Sequence, residues 1–127
     1  MHATEVFARY AAESRSQTLD AEVLHHAKRA VIDWYAALFP GLATVPVRLL
    51  ERTLAEDLDR GGARLPNGRR ATARAAALFN GTAAHAAEID DSFRDAMYHP
   101  GAATIGAALA AGHDQRVSGL HFLRALP

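Results

Sequence analysis

The segment Ala21–Phe39, AEVLHHAKRAVIDWYAALF, decides the class of fold. Its apolar residues Val23, Leu24, Ala27, Val31, Trp34, Tyr35 and Leu38 recur at spacings of three and four. Those spacings make one stripe on a helix and scatter over both faces of a strand. Asp20 is a good N-cap for this helix, and Pro40-Gly41 is expected to stop it. The same period extends in both directions. Upstream, Thr4 caps a predicted helix with Val6, Phe7, Tyr10 and Ala11 on one stripe. Downstream, a third helix starts near Thr44, tolerates Pro46 in its first turn, and places Val47, Leu50, Leu54 and Leu58 on one face.

RGGARLPNGRR, Arg60 to Arg70, is the clearest break in the pattern. Gly61-Gly62 and Asn67-Gly68 are turn formers, and Arg64-Leu65 between them suits a short extended piece. Thr72 caps a fourth predicted helix that runs through Ala75, Leu78 and Phe79 toward Glu88. Pro100 opens a fifth, whose small residues Ala102, Ala103, Gly106, Ala107 and Ala110 permit close packing. Ser118 caps a last helical turn or two. With no strand-like alternation of any length and no internal repeat, residues 1–127 read as one all-α, helical bundle-like domain. The closing HFLRALP reads as an interrupted element, so the natural domain is expected to continue past Pro127.

Composition excludes several functions. Fourteen basic residues balance fourteen acidic ones, and the arginines Arg69, Arg70 and Arg74 have no interleaved aromatics, so no nucleic-acid partner is expected. The absence of cysteine excludes thiol catalysis and cysteine-ligated zinc, and it fits a reducing, cytoplasmic setting. The N-terminus lacks the apolar core of a signal peptide, and no apolar run approaches the roughly 18 residues that span a bilayer.

Titratable groups concentrate between Asn80 and Ala102, NGTAAHAAEIDDSFRDAMYHPGA, where two histidines and four carboxylates fall within 15 residues. His85 and Glu88, spaced i and i+3, share a face if the fourth helix reaches them. Asp90 and Asp91 follow at a helix end where the dipole disfavours negative charge, so they turn to solvent or have a specific partner. His99 stands before Pro100 at the mouth of the next helix, where an imidazole and helix N–H groups can meet an anion. Plainer readings stand beside these: a groove histidine at position 85, Asx turns at Asp90-Asp91-Ser92, and a surface loop residue at 99. Asn80-Gly81 marks close approach by another element or a ligand, since glycine within a helix costs about 1 kcal/mol. His85-x-x-Glu88 inverts the Glu-x-x-His half-site of di-iron bundles and has no second copy, so no metal is expected. A carboxylate and an imidazole held together suit general acid–base chemistry instead.

The run AALFNGTAAHAAEIDDSFRDAMYHPGAATIGAALA resembles the MmgE/PrpD family, which includes 2-methylcitrate dehydratase, cis-aconitate decarboxylase and iminodisuccinate epimerase. Asn80, Gly81, His85, Glu88, Asp90, Asp91, His99 and Pro100 match that family's order, with Glu88 where it often carries aspartate. LDAEVLHHAKRAVIDWYAALFPG looks like its opening helix and SGLHFLRA like the start of its next one, so the likeness covers essentially the whole chain. The resemblance implies the N-terminal part of a cofactor-independent lyase, dehydrating a small di- or tricarboxylate by acid–base catalysis. It implies catalytic roles for Glu88, Asp90, Asp91 and His99, substrate-binding roles for Asn80 and His85, and further catalytic groups beyond Pro127, with the site in a cleft between the helical domain and a smaller α+β domain. At most half an active site is then expected here, completed within a homo-oligomer or by a complementary chain. The competing expectation is a non-catalytic helical module that associates with itself or with a partner.

Overall fold

The computed structural model describes residues 2–14 and 17–126. Among them, six helices alternate with one small hairpin: α1 (Ala3–Ser14), α2 (Ala21–Gly41), α3 (Val45–Thr53), β1 (Leu58–Arg64), β2 (Arg70–Ala71), α4 (Ala73–His85), α5 (Pro100–Asp114) and α6 (Gly119–Arg124). A single 3-10 turn, Arg94–Ala96, interrupts the long connection between α4 and α5. Pro127, where the sequence suggests an interrupted element, lies outside the described residues.

The α2 stripe faces the core from Ala27 onward, whereas Val23 at its start is exposed. Ala27, Trp34, Ala37 and Leu38 are buried, and Val31 and Tyr35 pack against the same core. The helix does not stop before Pro40; it continues through Pro40 to Gly41. A proline that close to the end sacrifices one hydrogen bond without breaking the ladder behind it. Gly41 is there for contact, because a Cβ on it would overlap the Ala83 carbonyl of α4. The predicted α3 face is also corrected. The helix ends at Thr53, so Leu54 follows it and Leu58 opens a strand, yet both are buried with Val47.

The all-α expectation holds only in part, because β1 and β2 form a two-stranded antiparallel sheet. Its pairings, Leu58 with Ala71, Ala63 with Ala71 and Arg64 with Arg70, skip across an irregularity between Leu58 and Ala63. The bulge absorbs Gly61 at φ +70°, where a side chain would also press to 2.8 Å from the Ala71 carbonyl. A strand built on RGGAR has no alternation to read, which is why the pattern conceals it.

Thr72 caps α4 as its position predicts: its hydroxyl oxygen accepts from the Ala75 N–H at 3.3 Å, while the hydroxyl donates to Asp57 at 3.0 Å. Ser118 does the same for α6, accepting from the His121 N–H. The α4–α5 pair packs backbone against backbone. A Cβ on Gly81 would sit 2.9 Å from the Ala102 carbonyl, and one on Gly106 would sit 3.2 Å from the Gly81 nitrogen. The close approach expected at Asn80-Gly81 is therefore made by α5. No single helix among the described residues is long and apolar enough to cross a membrane. The bent pair α2 and α3 passes a length-and-composition test only when joined, and both contribute side chains to the core.

Candidate active site

α4 ends at His85, so Glu88 is not on a shared helical face with it. Glu88 closes the turn that follows: its N–H donates to the His85 carbonyl at 2.8 Å and its own φ is +52°. That left-handed step reverses the chain and exposes the Glu88 side chain, and it swings Asp90 back beneath His85. The connection then folds on itself. Phe93 and Tyr98 exchange backbone hydrogen bonds of 2.7 and 3.3 Å around the 3-10 turn, which returns the chain at His99.

Asp91 explains why acids follow α4. They do not serve that helix's C-terminus, where the dipole would repel them. The Asp91 carboxylate accepts from the Gly101 N–H at 3.1 and 3.2 Å, in the first turn of α5, where the dipole favours an anion. Gly101 must be glycine for this latch, since a Cβ there would sit 2.5 Å from Asp91 Oδ1. The helix N–H offered to an anionic ligand in the sequence reading is thus taken by the protein's own carboxylate.

His85, Asp90 and His99 are brought together. His85 Nδ1 lies 3.0 Å from Asp90 Oδ2 and 3.2 Å from Oδ1, and His99 Nδ1 lies 3.5 Å from Asp90 Oδ1. The two rings tilt at 56° with centroids 4.8 Å apart. Ser92 Oγ adds a contact of 3.4 Å to His99 Nδ1. The Asp90 side chain is only 1% exposed, against 50% for His85 and 37% for His99. A carboxylate facing Nδ1 of an imidazole selects the tautomer with its proton on Nδ1, which leaves the Nε2 lone pair free.

Both imidazoles line a pocket of about 930 Å³ between α4, α5 and the connection, with Leu78, Gly81, Met97 and Ala102 among its walls. Arg74 and Tyr98 also reach it, and neither was singled out from sequence as a site residue. Arg74 was legible: with Leu78 and His85 it lies on one face of α4 at helical spacing. Asn80, expected to bind substrate, is absent from the pocket. It is 2% exposed, and its amide donates to the Arg64 carbonyl at 3.2 Å, tying α4 to β1.

Comparison with known proteins agrees with the family resemblance. A family model described as the MmgE/PrpD N-terminal domain matches residues 5–127. No curated protein and no solved structure matches the chain significantly.

Proposed function

The chain belongs to the MmgE/PrpD family, and from that premise we propose that it forms one wall of a lyase site acting on a small di- or tricarboxylate. The reaction is dehydration by general acid–base catalysis. One group takes the proton beside a carboxylate, the carbon–oxygen bond to the neighbouring hydroxyl breaks, and a second group protonates the departing oxygen as a double bond forms and water leaves. The observation that supports this is the pair of imidazoles seated on one buried carboxylate and open to the pocket.

In this reading His99 and His85 carry the protons, and Asp90 positions both rings rather than meeting substrate. Asp91 holds the α5 entrance, and Glu88 faces outward, where it is available to a cleft completed by other residues. The test is turnover of a hydroxylated tricarboxylate such as 2-methylcitrate by the full protein, followed through the absorbance of the new conjugated double bond. His99→Ala is expected to lower kcat by about 10²–10⁴-fold. Undiminished turnover in a folded His99→Ala protein would overturn the assignment.

One observation favours association, whether or not the chain is catalytic. α1 buries none of its residues, and its Val6, Phe7 and Tyr10 stripe is exposed. An amphipathic helix left bare in this way supports pairing with a second copy or a complementary chain.

A further inference from the structure

Sequence spacing pairs His85 with Glu88, whereas the fold places Asp90 and His99 beside His85 instead. We propose that His85, Asp90 and His99 form a binding site for one divalent transition-metal ion of zinc's class. One donor atom can be taken from each residue so that all three lie within 4.8 Å of one another. A tetrahedral ion with bonds of 2.0–2.1 Å places its donors about 3.3 Å apart. Measured from the one oxygen Asp90 Oδ1, the distances to His85 Nδ1 and His99 Nδ1 are 3.2 and 3.5 Å, which bracket that edge. The third edge closes by rotation of the His99 ring, which is 37% exposed and touches Ser92, Asp90 and the His85 ring among the described residues.

Two imidazoles and a carboxylate are a donor set that zinc, cobalt and nickel accept and that the oxygen-seeking magnesium and calcium do not favour. The pocket supplies an entry path and an open fourth position. Binding exchanges the His85 Nδ1 hydrogen bonds to Asp90, and the His99 Nδ1 contacts with Asp90 and Ser92, for coordination by the Nδ1 lone pairs, and the neutral imidazole proton moves to Nε2. An ion seated there removes both imidazoles from proton transfer, so it opposes the proposed lyase chemistry rather than serving it. The site does not depend on that reading being correct.

The test is calorimetric titration of the 127-residue chain with zinc chloride, paired with nitrogen NMR of the histidine rings. One equivalent is expected to bind, with shifts at His85 and His99 and none at His113. Mutating a residue that merely orients a ligand costs 10–100-fold in affinity, so His99→Ala and Asp90→Ala are each expected to weaken binding at least about tenfold. His25→Ala/His26→Ala, which removes the exposed pair on α2, should leave it unchanged. No binding by the wild-type chain, or binding that survives His99→Ala and disappears with the α2 pair, would overturn the proposal. Should His99→Ala fail to fold, the wild-type ring shifts decide alone: shifts confined to other histidines count against the site.

Discussion

Asn80 holds a structural position between α4 and β1. Its side chain is almost wholly enclosed, its amide holds the Arg64 carbonyl, and its own Oδ1 has no partner among the described residues. Removing the amide strands that carbonyl and leaves a small void, so Asn80→Ala is expected to cost about 1–3 kcal/mol, read from urea denaturation. Loss of ligand affinity at unchanged stability would instead return Asn80 to the pocket. The residue types of the site were legible in sequence, because acids and histidines crowd an otherwise alanine-rich chain. Their partners were not. The pairing of Asp90 with both imidazoles depends on a left-handed step at Glu88, a conformation a non-glycine residue seldom adopts and no spacing rule anticipates.

Among the elements, the hairpin is held to α5 through a titratable group. The Arg64 N–H donates to His113 Nδ1 at 3.3 Å, and the Gly62 N–H reaches Asp114 at 3.4 Å. Burial, with the nearby Arg64 charge, lowers the His113 pKa below its ordinary 6.5. A histidine with a depressed folded pKa takes up protons more readily when unfolded, so its contribution is complete above pH 6.5 and is lost as pH falls below that value. The protection factor of the Arg64 amide, its exchange rate corrected for the intrinsic pH dependence, is therefore expected to fall on acidification below that point. His113→Gln should flatten the response, since an amide oxygen accepts without titrating in this range, and an unchanged profile in that variant would assign the effect elsewhere. Helix existence was legible throughout, because caps such as Thr72 and Ser118 and the stripe on α2 are local signals. The strands were not, since their register rests on glycine conformations and on α5, 49 residues away in the chain.

Over the whole molecule, helical class and motif order were readable from one sequence, whereas the pocket required the packing of α4 on α5. The bare stripe on α1 yields an expectation at the same scale. Phe7 is 72% exposed, and Phe7→Glu should shift sedimentation toward the monomer if that stripe pairs with another copy. Identical sedimentation of the variant and the wild type would exclude α1 from the contact. The glycine seam between α4 and α5 carries a different consequence. Gly81 lies one turn before His85 and meets the Ala102 carbonyl three residues beyond His99, so helix spacing sets the separation of the two rings. Under the proposed acid–base reading, a saturation screen scored on turnover would rank Gly81 beside the histidines while it touches no proton. Intolerance to substitution at this seam would register mechanical tolerance rather than chemistry, and a ranked list of sensitive positions would overstate the number of reacting groups.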